Sequence, residues 1–294
     1  MSAQRIKGMV FLVLSWAVFA CSSDAAGPPL KEEHEFAGRQ SMFTVSHFES
    51  GARGQVWFSV YLPPDWSPDG TEVYPLVVFL HGQHGDQYSF SNRVSVSDLN
   101  QWIRDGLVPP FVLVAPNGSD IPASVQWYYP DNVTLLTSDA SDELRAFCFE
   151  TFRAGGAPEN TSVHGHSRGA SGALYFALNH WDRFASAVAN AFVSDYVLEA
   201  RKEDAVRNRQ AFINSGISLR MTIGTEDSYS LEHGRIGSPE LHRHMDTLGI
   251  PHEYELLPGV THGLSSIWNF QRTDGKKNGL YELQLHAKAW PGQG

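Results

Sequence analysis

Two runs, YPLVVFLHG (residues 74–82) and PPFVLVAPNG (109–118), are apolar at nearly every position and bounded by proline and glycine. A strand with one wet face alternates apolar and polar residues. A strand apolar throughout needs cover on both faces, which is the condition inside a parallel sheet. Comparable strand-like runs follow at NTSVHGHS (160–167), FASAVANAF (184–192), SLRMTIGTED (218–227) and HEYELLPGV (252–260). Helical spacing separates or follows them in DELRAFCFETFRAGG (142–156), which ends on a glycine stop, in GASGALYFALNHW (169–181) and in LYELQLHAKAW (280–290). Strands alternating with helices imply βαβ units. Ahead of them MFTVSHF (42–48) and GQVWFSVYLP (54–63) alternate, as an antiparallel hairpin at a sheet edge does. The expected fold is one α/β domain over residues 41–294: a mostly parallel central sheet flanked by helices, with an antiparallel N-terminal hairpin.

The chain has 294 residues, 42% of them hydrophobic, enough for a substantial core. Its formal net charge of -10 argues against a nucleic-acid or anionic-membrane surface, which needs clustered Lys and Arg. Residues 1–20 read as a signal peptide: Arg5 and Lys7 give a basic start, and the apolar run to Ala20 is short for a bilayer span. The run stops at VFAC, which resembles the bacterial lipobox and makes Cys21 the candidate lipidated residue. Phe19 departs from the small residue usual there, so plain cleavage nearby and an uncleaved anchor stay open. The expected location is the bacterial cell envelope as a lipoprotein, or outside the cell. Residues 21–40, rich in Gly, Pro and charge, read as a tether. The other cysteine, Cys148, lies in an apolar-patterned helix and reads as a buried thiol.

The pentapeptide Gly165-His166-Ser167-Arg168-Gly169 fits G-x-S-x-G between a strand-like run and a helix-like one. A strand-to-helix turn that tight forces an unfavourable backbone at the serine and aims its hydroxyl outward. Flanking glycines remove the side-chain clashes. A serine hydroxyl is a weak nucleophile at neutral pH. It needs a histidine base, which a carboxylate orients. Downstream, Asp227 follows one predicted strand and His262 another, both at strand C-terminal ends, where open α/β sheets build their sites.

With VVFLHGQHGD, GHSRGASGAL, IGTEDSY and GVTHG, the chain from about residue 56 onward resembles the α/β-hydrolase superfamily. More narrowly it is similar to serine esterases of the esterase D and feruloyl-esterase type. The resemblance implies an α/β-hydrolase fold, no cofactor, and a triad in the order Ser167, Asp227, His262. Its G-x-x-D pattern selects Asp227; Asp195, after an earlier strand, is the second candidate because some relatives take their acid there. The resemblance also nominates the Gln83 and Arg168 backbone N–H groups as oxyanion donors. Esterases often carry glycine where Gln83 and His84 stand, and His84 is a candidate for direct substrate contact. His166 is expected to line the pocket wall, and His164 to sit inside the sheet.

Trp127 and Tyr128, in QWYYPD (126–131), read either as an aromatic wall for an acyl group or as core packing under a loop. The polar stretch 194–216 is either a small cap or a solvated helix. His164/His166 and His242/His244 form H-x-H pairs, but no carboxylate or cysteine was seen at ligand spacing, so no metal is assigned. The reading is an exported serine carboxylic-ester hydrolase acting through an acyl-enzyme on feruloyl, acetyl or other small acyl esters. A serine peptidase or polyester depolymerase on the same residues, and a non-catalytic surface binding protein, are the alternatives. The expected substrate is a small-molecule or polysaccharide-linked ester, and membrane contact is expected only through a lipid anchor, for which Cys21 is the candidate.

Overall fold

The alternating segments pair as an antiparallel hairpin, β1 (Phe43–Ser50) and β2 (Gly54–Tyr61). The two apolar runs form β3 (Leu76–Leu80) and β4 (Val112–Pro116), buried at every position. This computed structural model describes residues 36–118, 126–193, 195–232 and 237–292. The signal peptide, most of the tether and Cys21 lie outside the described residues. Four further strands, β5 (Thr161–His166), β6 (Ser186–Asn190), β7 (Ser218–Gly224) and β8 (Glu253–Leu257), complete one eight-stranded sheet. Its order is β1-β2-β4-β3-β5-β6-β7-β8. The pairings from β4 onward are parallel, and β2 meets β4 antiparallel.

Successive residues of β3 face opposite layers, as strand pleating requires. Val77 and Phe79 pack with Leu99 and Trp102 of α1 (Val96–Arg104), Trp268 of α8 (Leu264–Trp268) and Leu283 of α9 (Asn278–Ala289). Leu76, Val78 and Leu80 face the other layer, which includes α2 (Pro130–Thr137), α3 (Leu144–Phe152) and α4 (Arg168–Asn179). Cys148 is buried in α3, as expected. That helix ends on Arg153 in the left-handed region (φ 52°), ahead of the glycines read as its stop. Phe36, inside the stretch read as tether, is buried and meets Phe152 edge-on at 4.8 Å, so the packed unit begins before residue 41.

The polar stretch is a helix with one face solvated rather than a cap. It forms α5 (Asp195–Ser215), which packs on α4 and buries Ala205 and Phe212 together with the Arg201–Asp204 ion pair at 3.0 Å. Helix α1 was not anticipated from the sequence, although Ser95 caps it by accepting the Asp98 N–H.

Beside Leu283, the sheet side of α9 also carries polar residues that are fully buried. Asn190 Nδ2 donates to Glu282 Oε2 and lies 3.0 Å from His164 Nε2, and His286 Nδ1 meets Ser186 Oγ at 2.8 Å. His164 therefore sits inside the sheet with partners, as expected. Burial pushes Glu282 up to about 7 and His286 down to about 3. Unpartnered groups here would cost about 1–3 kcal/mol each, so these hydrogen bonds offset the cost of burying polar groups under α9.

Gly165 and Gly169 let α4 close on the sheet. A Cβ on Gly165 would lie 1.9 Å from the Gly169 carbonyl oxygen, and one on Gly169 would lie 1.8 Å from that of Leu80. Gly169→Ala must push backbone apart, an overpacking that typically costs about 1–3 kcal/mol. Urea unfolding should show a lower midpoint for this variant; an unchanged midpoint would refute the close approach.

Candidate active site

Ser167 joins β5 to α4 with φ 57° and ψ -114°, a conformation that non-glycine residues rarely adopt. Its N–H donates to the Asn190 carbonyl at 2.8 Å, which holds the turn against the end of β6. The strain is therefore local and braced on both sides by glycine.

Asp227 follows β7, opens into α6 (Ser228–Glu232), and is fully buried. One carboxylate oxygen accepts the Ser230 N–H at 3.1 Å, and the other meets His262 Nδ1 at 2.7 Å. His262, beyond β8, places Nε2 2.9 Å from Ser167 Oγ. Since the carboxylate only accepts, Nδ1 carries the proton and Nε2 presents a lone pair to the hydroxyl. The three side chains named from sequence are thus in hydrogen-bonding series. Asp195 opens α5, and its side chain lies outside the described residues.

His166 does more than form a wall. Its Nε2 lies 2.6 Å from the His262 carbonyl oxygen, so Nε2–H donates and clamps the loop that carries the other imidazole. Burial, and next the neighbouring His262, lower its pKa to about 4. His81, which was not singled out from sequence, is a second fixed imidazole. Nε2 accepts the Gly118 N–H at 3.0 Å and Nδ1–H donates to the Gly82 carbonyl at 2.8 Å. It ties the loop after β3 to the end of β4. A histidine directly between a strand and a glycine was the available signal.

Gln83, His84, His166, Ser167, Arg168 and His262 all line one cavity of about 570 Å3. Arg168 Nε donates to Gln83 Oε1 at 3.2 Å, joining the two segments nominated as oxyanion donors. His84 has φ 60°, the left-handed backbone that explains why glycine suits this position. Phe79, Val193, Tyr229 and Leu264 supply its apolar lining, and none of them was anticipated there. The Tyr229 ring lies 4.7 Å from that of His262, within the IGTEDSY segment.

Trp127 and Tyr128 are corrected: neither lines this cavity. Trp127 is fully buried, donates from Nε1 to the His81 carbonyl at 2.9 Å, and packs where Gly172 leaves room. Tyr128 packs near Tyr175 with the Arg201 guanidinium 5.7 Å from its ring centre. The core alternative was the right one for Trp127, because an indole needs a buried acceptor and found one under the nucleophile helix.

Unfolding returns His166 from about 4 to its ordinary 6.5. Between these values the unfolded chain binds a proton that the folded chain refuses, so stability from this residue is complete above 6.5 and falls as pH drops towards 4. His166→Gln should lose less stability than wild type between pH 7 and pH 5 in urea unfolding; equal losses would show that His166 titrates normally.

A family model described as "Putative esterase" matches residues 52–269. No curated protein matches the chain. Among solved structures, a ferulic acid esterase superposes with TM-score 0.68 at 18% identity, covering 85% of this chain and 99% of its own. The ferulic acid esterase of Anaeromyces mucronatus, in complex with ferulic acid, gives TM-score 0.59 at 18% identity, covering 82% and 92%. An S-formylglutathione hydrolase from Agrobacterium tumefaciens gives TM-score 0.59 at 19% identity, covering 84% and 95%. At these identities the structural likeness establishes the fold, and the family match spans most of the sheet together with its loops. The chain belongs to the esterase family and is a carboxylic ester hydrolase on the α/β-hydrolase fold.

Proposed function

We propose that this esterase is an exported serine enzyme that works through a Ser167–His262–Asp227 triad and an acyl-enzyme. The observation that carries the reading is the imidazole of His262 between the other two side chains, 2.9 Å from the hydroxyl and 2.7 Å from the carboxylate. Ser167 Oγ attacks the ester carbonyl carbon while His262 Nε2 takes the hydroxyl proton. The Asp227 carboxylate holds the tautomer and stabilises the imidazolium. The backbone N–H groups of Gln83 and Arg168 receive the oxyanion, an interaction typically worth about 3 kcal/mol per donor. The carbonyl reforms, the alcohol leaves with the proton from Nε2, and water repeats the sequence to release the acid.

The proposed substrates are feruloyl, acetyl or other small acyl esters, free or on polysaccharide. Support for an aromatic acyl group comes from Phe79, Tyr229, Val193 and Leu264 around the cavity. Support for export is the N-terminal pattern ending at Cys21. No helix among the described residues is long and apolar enough to cross a membrane.

The test is turnover of methyl ferulate and p-nitrophenyl acetate. Wild type should cleave at least one of them. Ser167→Ala should lower kcat by about 10^6 and Asp227→Asn by about 10^4, with the fold retained. Activity of Ser167→Ala within tenfold of wild type would remove Ser167 from its role.

A further inference from the structure

At the far edge of the sheet, α7 (Ser238–Thr247) and the segment entering β8 bring three polar side chains together, away from the Ser167 cavity. His242 and Asp246 are one helical turn apart and share a face, whereas the i,i+2 pair His242/His244 diverges around the helix. The H-x-H pairing read from sequence therefore does not form. The carboxylate at i+4, overlooked there, does meet His242.

The hydrogens decide what this cluster can hold. The His252 imidazole is 1% exposed, and its Nδ1 lies 2.8 Å from the Ile250 carbonyl, which only accepts. Nδ1 therefore carries the proton and Nε2 presents a lone pair. That Nε2 lies 2.8 Å from His242 Nδ1 and 3.8 Å from Asp246 Oδ1. His242 Nε2 lies 3.4 Å from Asp246 Oδ2. A neutral His242 has one N–H, so it serves His252 or Asp246 but not both. Electron-rich atoms then face each other without a hydrogen between them.

We propose that His242, Asp246 and His252 bind a divalent transition-metal ion of the zinc class. One ligand atom from each residue lies within 4.8 Å of the others. Two imidazoles and one carboxylate are a zinc-type donor set, while Mg2+ and Ca2+ favour all-oxygen sites. The Ile250 carbonyl is the outer-sphere acceptor that metal-bound imidazoles regularly use. His242 ring-stacks on Tyr254 at 4.2 Å, so its orientation is fixed from the other side. Asp246 is 60% exposed, which leaves water to complete the coordination. The ion would clip α7 to the edge strand β8, independently of the ester chemistry.

Isothermal titration of tag-free, metal-stripped protein with ZnCl2 tests this. Wild type should take up one equivalent, and MgCl2 should give no binding. Asp246→Asn and His242→Gln, both at partly exposed positions, should each weaken Zn2+ binding by about tenfold or more and leave ester turnover unchanged. Absence of saturable Zn2+ uptake by wild type would overturn the site. Uptake unchanged in both folded variants would overturn it equally, placing the ion among the other eleven of thirteen histidines.

Discussion

The backbone of α4 touches the backbone of β3, and the site depends on that contact. Leu80 and Gly169 meet at a distance that excludes any side chain. This closeness compresses the β5–α4 connection into one residue, Ser167, at a strained φ and ψ. The strain serves geometry, because it lifts a hydroxyl off the sheet edge where chains from β3, β7 and β8 also end. The residues around it are correspondingly over-determined. The Asn190 carbonyl holds the Ser167 N–H, His166 holds the His262 carbonyl, and His81 holds the Gly82 carbonyl. Two of these three braces are imidazoles whose pKa burial lowers, so neither competes with His262 for protons.

Asn190 also reaches in the opposite direction. Its side chain bonds Glu282 and Thr222 and lies beside His164, all beneath α9. The strand end that braces the nucleophile turn is thus tied to the C-terminal helix through a buried polar network rather than by apolar packing. Such a network is specific, because each member has one geometry that satisfies it, and half-satisfying it costs more than an apolar core. The fold is stiff where the proposed chemistry needs it.

Much of this was legible in the sequence. Fully apolar runs gave β3 and β4 directly, since a strand covered on both faces has no polar side to show. The order Ser167, Asp227, His262 placed three side chains that now lie in series. What was not legible had physical reasons. Trp127 and Tyr128 read as either a binding wall or core because aromatic residues cluster both in pockets and in cores, and burial decides for Trp127. Tyr229 reaches the cavity through the short α6, whose direction no local pattern encodes. Asp246 was missed because the H-x-H pattern pairs i with i+2, while the segment is a helix and pairs i with i+4.

The most direct measurement is mass spectrometry of the protein after reaction with a fluorophosphonate, with peptide mapping of the adduct. One adduct on Ser167, greatly slowed in His262→Ala, is the expected result. An adduct on another hydroxyl, or none at all in protein that hydrolyses esters, would contradict Ser167 as the nucleophile.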